Sequence, residues 1–242
     1  MARAGRVVAD TLALMEEHIQ PGITTGELDA IAEEFIRSHG GEPTFKGYRG
    51  YPASICSSPN DMVVHGIPGK VKLAQGDILS VDVGVTLDGF VADSAWTFSV
   101  GAIAPEAQRL LEVCEASLEA GIERARIGNA IGDISEAVQT VVEGAGFGVI
   151  RSLVGHGVGR AMHEDPQVPN FVSSSKGPEL REGMTIAIEP MITAGSPDVY
   201  IHDDEWSIST VDRSLAAHFE HTVAVTAEGP RILTLGAKVL VP

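Results

Sequence analysis

A chain of 242 residues, 44% hydrophobic and 21% charged, can bury a sizeable core as one large domain or two small ones. Its 33 acidic against 17 basic residues give a formal charge of −16, which argues against nucleic acid or anionic membrane as the main partner. Two cysteines, Cys56 and Cys114, are too few for a disulfide framework. No apolar run reaches membrane-spanning length and no leader pattern opens the chain, so a cytoplasmic location is expected.

Residues 3–19 carry a helical apolar period that stops before Pro21 and Gly22. A second helix is expected over about 25–39, with Thr24 and Glu27 spaced as a capping box and Gly40 as its stop. The valine-rich segments 78–85 and 89–100 read as strands around a turn at Asp88 and Gly89. Helices at about 105–125 and 131–145 open near Pro105 and Asp133 and are expected to end in glycines. GHGVGR (155–160) has neither a helical nor a strand period, whereas 184–189 and 221–226 again read as strands. Helices and strands come in runs, which indicates an α+β architecture with helices covering one face of antiparallel sheet.

The chain also resembles itself. Segment 21–41 overlays 127–147 and segment 73–82 overlays 180–189, at offsets of 106 and 107 residues. The second overlay matches Leu73 to Leu180, Gly76 to Gly183 and Asp82 to Glu189. Two halves, about 1–104 and 105–242, would then each contribute an acidic residue to a site between them.

Five residues carry the chemistry: Asp82, Asp93, His156, Glu189 and Glu220. Four are carboxylates set in or beside apolar strands, where a carboxylate is costly unless it is paired or metal-bound. Two divalent cations would balance them. Ser80, Asp82 and Gly84 share one strand face and the valines the other, which leaves room for an ion. Asp93 lies across the expected hairpin, close to a cross-strand position. Thr185, Ala187 and Glu189 repeat the pattern, and Pro190 puts Glu189 at a strand end. Oxygen-rich ligation with one imidazole does not suit a structural zinc site but fits a two-metal hydrolase, with Mn, Fe, Co and Zn all admissible. His163-Glu164-Asp165-Pro166 starts like H-E-x-x-H but lacks the second histidine, and GHGVG is not a dinucleotide fingerprint.

With these motifs in hand, the chain resembles type I methionine aminopeptidases, which have the creatinase-like pita-bread fold. The resemblance rests on segments 47–68, 76–98, 155–170, 183–191 and 217–226, and on ligands in the order D, D, H, E, E at spacings of 11, 63, 33 and 31. It implies a single catalytic domain over 1–242, built from two pseudo-twofold-related halves. It also implies that Asp82 chelates one ion, that Asp93 and Glu220 bridge both, and that His156 and Glu189 hold the second. Glu189 would shuttle a proton, His163 would hydrogen-bond the scissile carbonyl, and His65 would contact the scissile amide or leaving amine. The methionine pocket would comprise Tyr48, Tyr51, Cys56, His65, Met162 and Trp206, with Met162 standing where many bacterial relatives have phenylalanine. The implied activity is removal of initiator methionine before a small second residue. Nascent peptides are the implied substrate, the ribosome a candidate partner, and a monomer the expected state. A proline-directed aminopeptidase or prolidase, and a non-catalytic binding module of the same fold, are the alternatives.

Overall fold

The computed structural model describes residues 1–236. Helix α1 (Ala2–His18) forms where Val8, Leu12 and Met15 recur on one face, and all three are buried. Helix α2 (Thr25–Ser38) opens on the expected capping box: the Glu27 N–H donates to Thr24 Oγ1 at 3.2 Å, and the Thr24 N–H donates to Glu27 Oε2 at 2.8 Å. Full burial of Leu28 and Ile36 contributes roughly 1.5–3 kcal/mol each, against about 1 kcal/mol for such a cap, so packing decides this helix. Strands β1 (Glu42–Pro43), β2 (Ile55–Pro59), β3 (Met62–Val64), β4 (Ile78–Leu87) and β5 (Phe90–Ser99) complete the first half.

The second half repeats the plan with α3 (Pro105–Arg124) and α4 (Ile131–Gly144). Helix α3 ends at Arg124 with Ala125 as its cap, not at a glycine as expected. Strands β6 (Gly148–Val149), β7 (Gly155–Gly157), β8 (Glu164–Val168), β9 (Thr185–Ile188) and β10 (Met191–Thr193) follow. Strands β11 (Val199–Ile201), β12 (Ile208–Thr210), β13 (Ala216–His218), β14 (His221–Thr226) and β15 (Gly229–Ile232) close the described chain. Every ladder among the described residues is antiparallel.

Two larger sheets organise the molecule. In the first, β4 pairs with β5 along its whole length and with β2 and β1 on its other edge. In the second, the order is β15-β14-β9-β7-β8. Each sheet has its own core. Helices α1 and α2 pack on the valines of β4, while α3 and α4 pack on Ile186, Ile188, Val223 and Val225. Trp96 on β5 touches both cores.

The contacts that seat the helices also recur. Thr24 bridges Lys72, and Ala130 bridges Glu179. The Gly26 N–H donates to Gly69 O at 2.9 Å, and the Gly132 N–H to Lys176 O at 2.7 Å. The halves meet where β5 runs beside residues 218–222. There the Glu220 N–H donates to Ala95 O, and the His218 N–H donates to Thr97 Oγ1, both at 2.9 Å. Among the described residues no helix is long and apolar enough to cross a membrane.

Candidate metal centre

The hairpin of β4 and β5 turns at Asp88 and Gly89, whose φ values of 52° and 76° are those of a two-residue turn matched to strand twist. Its register pairs Asp82 with Ala95 and Gly84 with Asp93, so the two aspartates are diagonal neighbours on one face. Asp93 is anchored across the seam: its N–H donates to Thr222 Oγ1 at 3.1 Å, and the Thr222 hydroxyl reaches Asp93 Oδ1 at 2.9 Å. Glu220 is fixed through its main chain, since Ser94 Oγ donates to its carbonyl. Glu189 stands just past β9, and its carbonyl accepts from Asn170 Nδ2 at 2.9 Å.

His156 sits in β7, pressed between β8 and β9. A Cβ added to Gly155 would lie 2.4 Å from Ala187 O, so glycine is what lets the strands close around the ring. His156 Nδ1 donates to Gly157 O at 2.8 Å, because a carbonyl can only accept. In the neutral ring that leaves Nε2 as a lone pair, and it faces Asp93 Oδ2 and Glu189 Oε1, each at 3.5 Å. Two carboxylate oxygens and an imidazole nitrogen thus converge on one point.

Asp93, His156 and Glu220 are buried, and each offers a ligand atom within 4.8 Å of the others. Asp82 Oδ1 and Asp93 Oδ2 are buried with no hydrogen-bond partner. Burial, and next Asp93, raise the carboxyls of Asp82, Glu189 and Glu220 well above the usual range. Burial also raises Asp93, against the opposing pull of His156. Orphaned oxygens, a lone-pair nitrogen and repelling carboxylates together fit divalent cations, which supply the missing counter-charge. Cys56, opposite Asp82 on β2, is pushed well above its ordinary value by burial and then by Asp82.

The cluster forms the floor of a cavity of about 220 Å³. All the site residues expected from the sequence line it: Asp82, Asp93, His156, Glu189 and Glu220 with His65, His163, Tyr48, Tyr51, Cys56, Met162 and Trp206. Tyr51 is locked by its hydroxyl to Gly66 O at 2.9 Å and meets Trp206 edge-on, with ring centres 5.1 Å apart. His65 stands beside the same indole at 6.4 Å, and burial pushes its imidazole below the ordinary value. The His163 ring lies 4.3 Å from that of His156, and its Nδ1 lies 2.9 Å from the Tyr48 hydroxyl. Burial, and next His156, lower His163 to about 4, which keeps it neutral.

The sequence profile of metallopeptidase family M24 matches residues 1–227. The chain belongs to this family. The methionine aminopeptidase of Clostridium perfringens is 52% identical over 235 residues, which cover 97% of this chain and 94% of that protein. The crystal structure of methionine aminopeptidase from Rickettsia prowazekii matches with a TM-score of 0.95 at 41% identity, covering 97% of this chain and 95% of that one. Prolidase from Pyrococcus furiosus shares the fold alone, with a TM-score of 0.77 at 20% identity, and this chain spans 62% of its length. The fold is the pita-bread fold, and this M24 chain is a metal-dependent peptidase.

The cavity of this M24 peptidase also contains residues that sequence reasoning passed over. Arg49 lines it, with its guanidinium 5.3 Å from the Tyr48 ring centre. His218 lines it too, fully enclosed, and burial lowers its imidazole to about 3. A signal for His218 was present: it stands two residues before Glu220.

Proposed function

We propose that this peptidase removes N-terminal methionine from peptides and nascent proteins, preferring a small second residue, with two divalent ions held by Asp82, Asp93, His156, Glu189 and Glu220. The observation that carries the reading is one cavity joining an acidic, lone-pair-rich floor to a wall of tyrosine, tryptophan, thiol and thioether. Aromatic faces and polarizable sulfur suit a flexible thioether side chain. Cations bound here supply Lewis acidity toward a carbonyl and a water acidic enough to ionise near neutral pH.

The protein's own groups do the rest. Glu189, at the cavity edge of the cluster, takes the proton of the attacking water and passes it toward the departing amine. With the Tyr48 hydroxyl donating to Nδ1, His163 keeps its proton on Nε2 and offers it to the carbonyl oxygen as charge develops there. His65, beside Trp206 in the cavity wall, contacts the scissile amide. Tyr48, Tyr51, Cys56, Met162 and Trp206 enclose the methionine side chain.

The test compares methionine release from Met-Ala-Ser with cleavage of Leu-Ala-Ser and Ala-Pro-Ala, with Mn, Co, Fe or Zn supplied in turn. Met-Ala-Ser is expected to turn over at least about 10-fold faster than the others, a hydrophobic-pocket discrimination of ordinary size. Chelation should abolish the reaction. A preference for Ala-Pro-Ala would move the enzyme to the proline-directed class. Silence with every metal would leave a binding module.

A further inference from the structure

The Glu189 carboxylate has two faces, and one of them meets a residue with no role so far. Glu189 Oε1 faces His156 Nε2 at 3.5 Å, whereas Oε2 faces His218 Nε2 at 3.7 Å. His218 Nε2 also lies 4.0 Å from Glu220 Oε2. This nitrogen is buried without a hydrogen-bond partner, on a side chain only 2% exposed, and it lies in the wall of the catalytic cavity. A buried imidazole nitrogen facing a carboxylate and bonded to nothing else is an unspent donor.

Its placement is built rather than incidental. Strand β13 pairs with β10 so that His218 lies opposite Met191, two residues beyond Glu189. Thr97 clamps the His218 main chain from β5: the His218 N–H donates to Thr97 Oγ1, and the Thr97 hydroxyl donates to His218 O, both at 2.9 Å. That commits the only Thr97 hydroxyl proton, so the 2.9 Å contact with Ser80 is donated by Ser80. Asn170 fixes the Glu189 carbonyl but not its carboxylate.

We propose that His218 is a positioning residue: its Nε2–H holds Glu189 Oε2, so that Oε1 stays turned toward His156 and the metal floor. The inference rests on the role given to Glu189 above. A carboxylate that binds metal and moves a proton must keep its two oxygens in distinct places, and a donor on one of them orients the other. The 3.7 Å separation is longer than a formed hydrogen bond, and contacts of this kind close when substrate fills the site.

The experiment compares His218→Phe, which keeps the ring shape without a donor, with His218→Gln, whose amide N–H can reach the same oxygen. Turnover of Met-Ala-Ser, Mn(II) binding by calorimetry and Tm are measured for each. H218F is expected to lose about 10- to 100-fold in kcat with KM little changed, and to bind Mn(II) about 10-fold more weakly, as for the loss of other outer-shell donors. H218Q is expected to restore most of both. An H218F enzyme with normal kcat and normal Mn(II) affinity overturns the proposal. So does equal impairment of both variants with equal loss of Tm, which would mean packing alone, or a change confined to KM and second-residue preference. If the wild-type protein fails to release methionine, the functional reading falls separately, and the Mn(II) comparison still decides whether His218 holds Glu189.

Discussion

His65 has a φ of 60°, a left-handed backbone that costs a non-glycine residue about 1–2 kcal/mol and that histidine, asparagine and aspartate tolerate best. That geometry sets the imidazole beside Trp206 at the cavity wall. His65→Asn keeps a residue suited to this backbone and removes the ring, so Tm and metal content should stay near wild type while kcat/KM falls about 10²- to 10⁴-fold. Steady-state kinetics on Met-Ala-Ser checks this, and near-normal kcat/KM would remove the role. His221 answers to a different rule. It lies outside the cavity lining; its Nδ1 lies 2.8 Å from the Thr234 hydroxyl, and burial lowers it to about 4 from a model-compound value of 6.5. The unfolded chain therefore binds a proton that the folded protein refuses between those values. Stability is complete above pH 6.5 and is lost as pH falls toward 4, by at most about 1.4 kcal/mol per pH unit. The drop in Tm from pH 7 to pH 5 should be larger in wild type than in His221→Asn at equal metal loading; equal drops would refute it. The role of His65 came from family resemblance, but its φ and the enclosure of His221 and His218 are set by distant segments and leave no mark in the local sequence.

Among secondary-structure elements, the hairpin of β4 and β5 was the most readable. Period-two alternation located the face of Asp82, the Asp88 and Gly89 turn set the register, and both aspartates arrived on one surface. Glu189 likewise followed from Pro190. Strand β7 was harder, since one histidine between two glycines carries no period, and only its neighbours make it a strand. Its dependence on glycine gives a direct test. In Gly155→Ala the new methyl would meet Ala187 O at 2.4 Å and the Val168 side chain at 3.1 Å. Overpacking of this kind costs about 1–3 kcal/mol, and the displaced His156 should weaken metal binding about 10-fold. Denaturant unfolding and metal titration measure the two effects, and unchanged metal affinity would show that β7 does not set His156. The end of α3 was misread because its last turn is held by packing and its Ala125 cap, with the glycine arriving later at Gly128. Pairings such as β3 with β12 were beyond local pattern altogether. The pocket residues came from family resemblance, since tyrosine, thiol and methionine in a chain are more often plain core.

Taken together, the site is a property of the seam. Asp82 and Asp93 come from one sheet, His156 lies in the other, and Glu189 and Glu220 flank its strands, while β5 joins them through Asp93–Thr222 and Ala95–Glu220 contacts. The two larger cores lie on the two sheets, and Trp96 touches both. Trp96 meets Phe219 edge-on at 4.5 Å, directly beside Glu220 in the chain. The chain has two tryptophans, and the other, Trp206, lies in the cavity wall. The protein therefore carries two built-in optical gauges, one in the cavity wall and one at the joint. In Trp206→Phe, added methionine should leave the fluorescence silent, and emission should shift only when denaturant parts the two cores. A methionine-dependent shift in that variant would mean instead that filling the cavity moves the joint itself, and the residual indole would then time that motion in stopped flow.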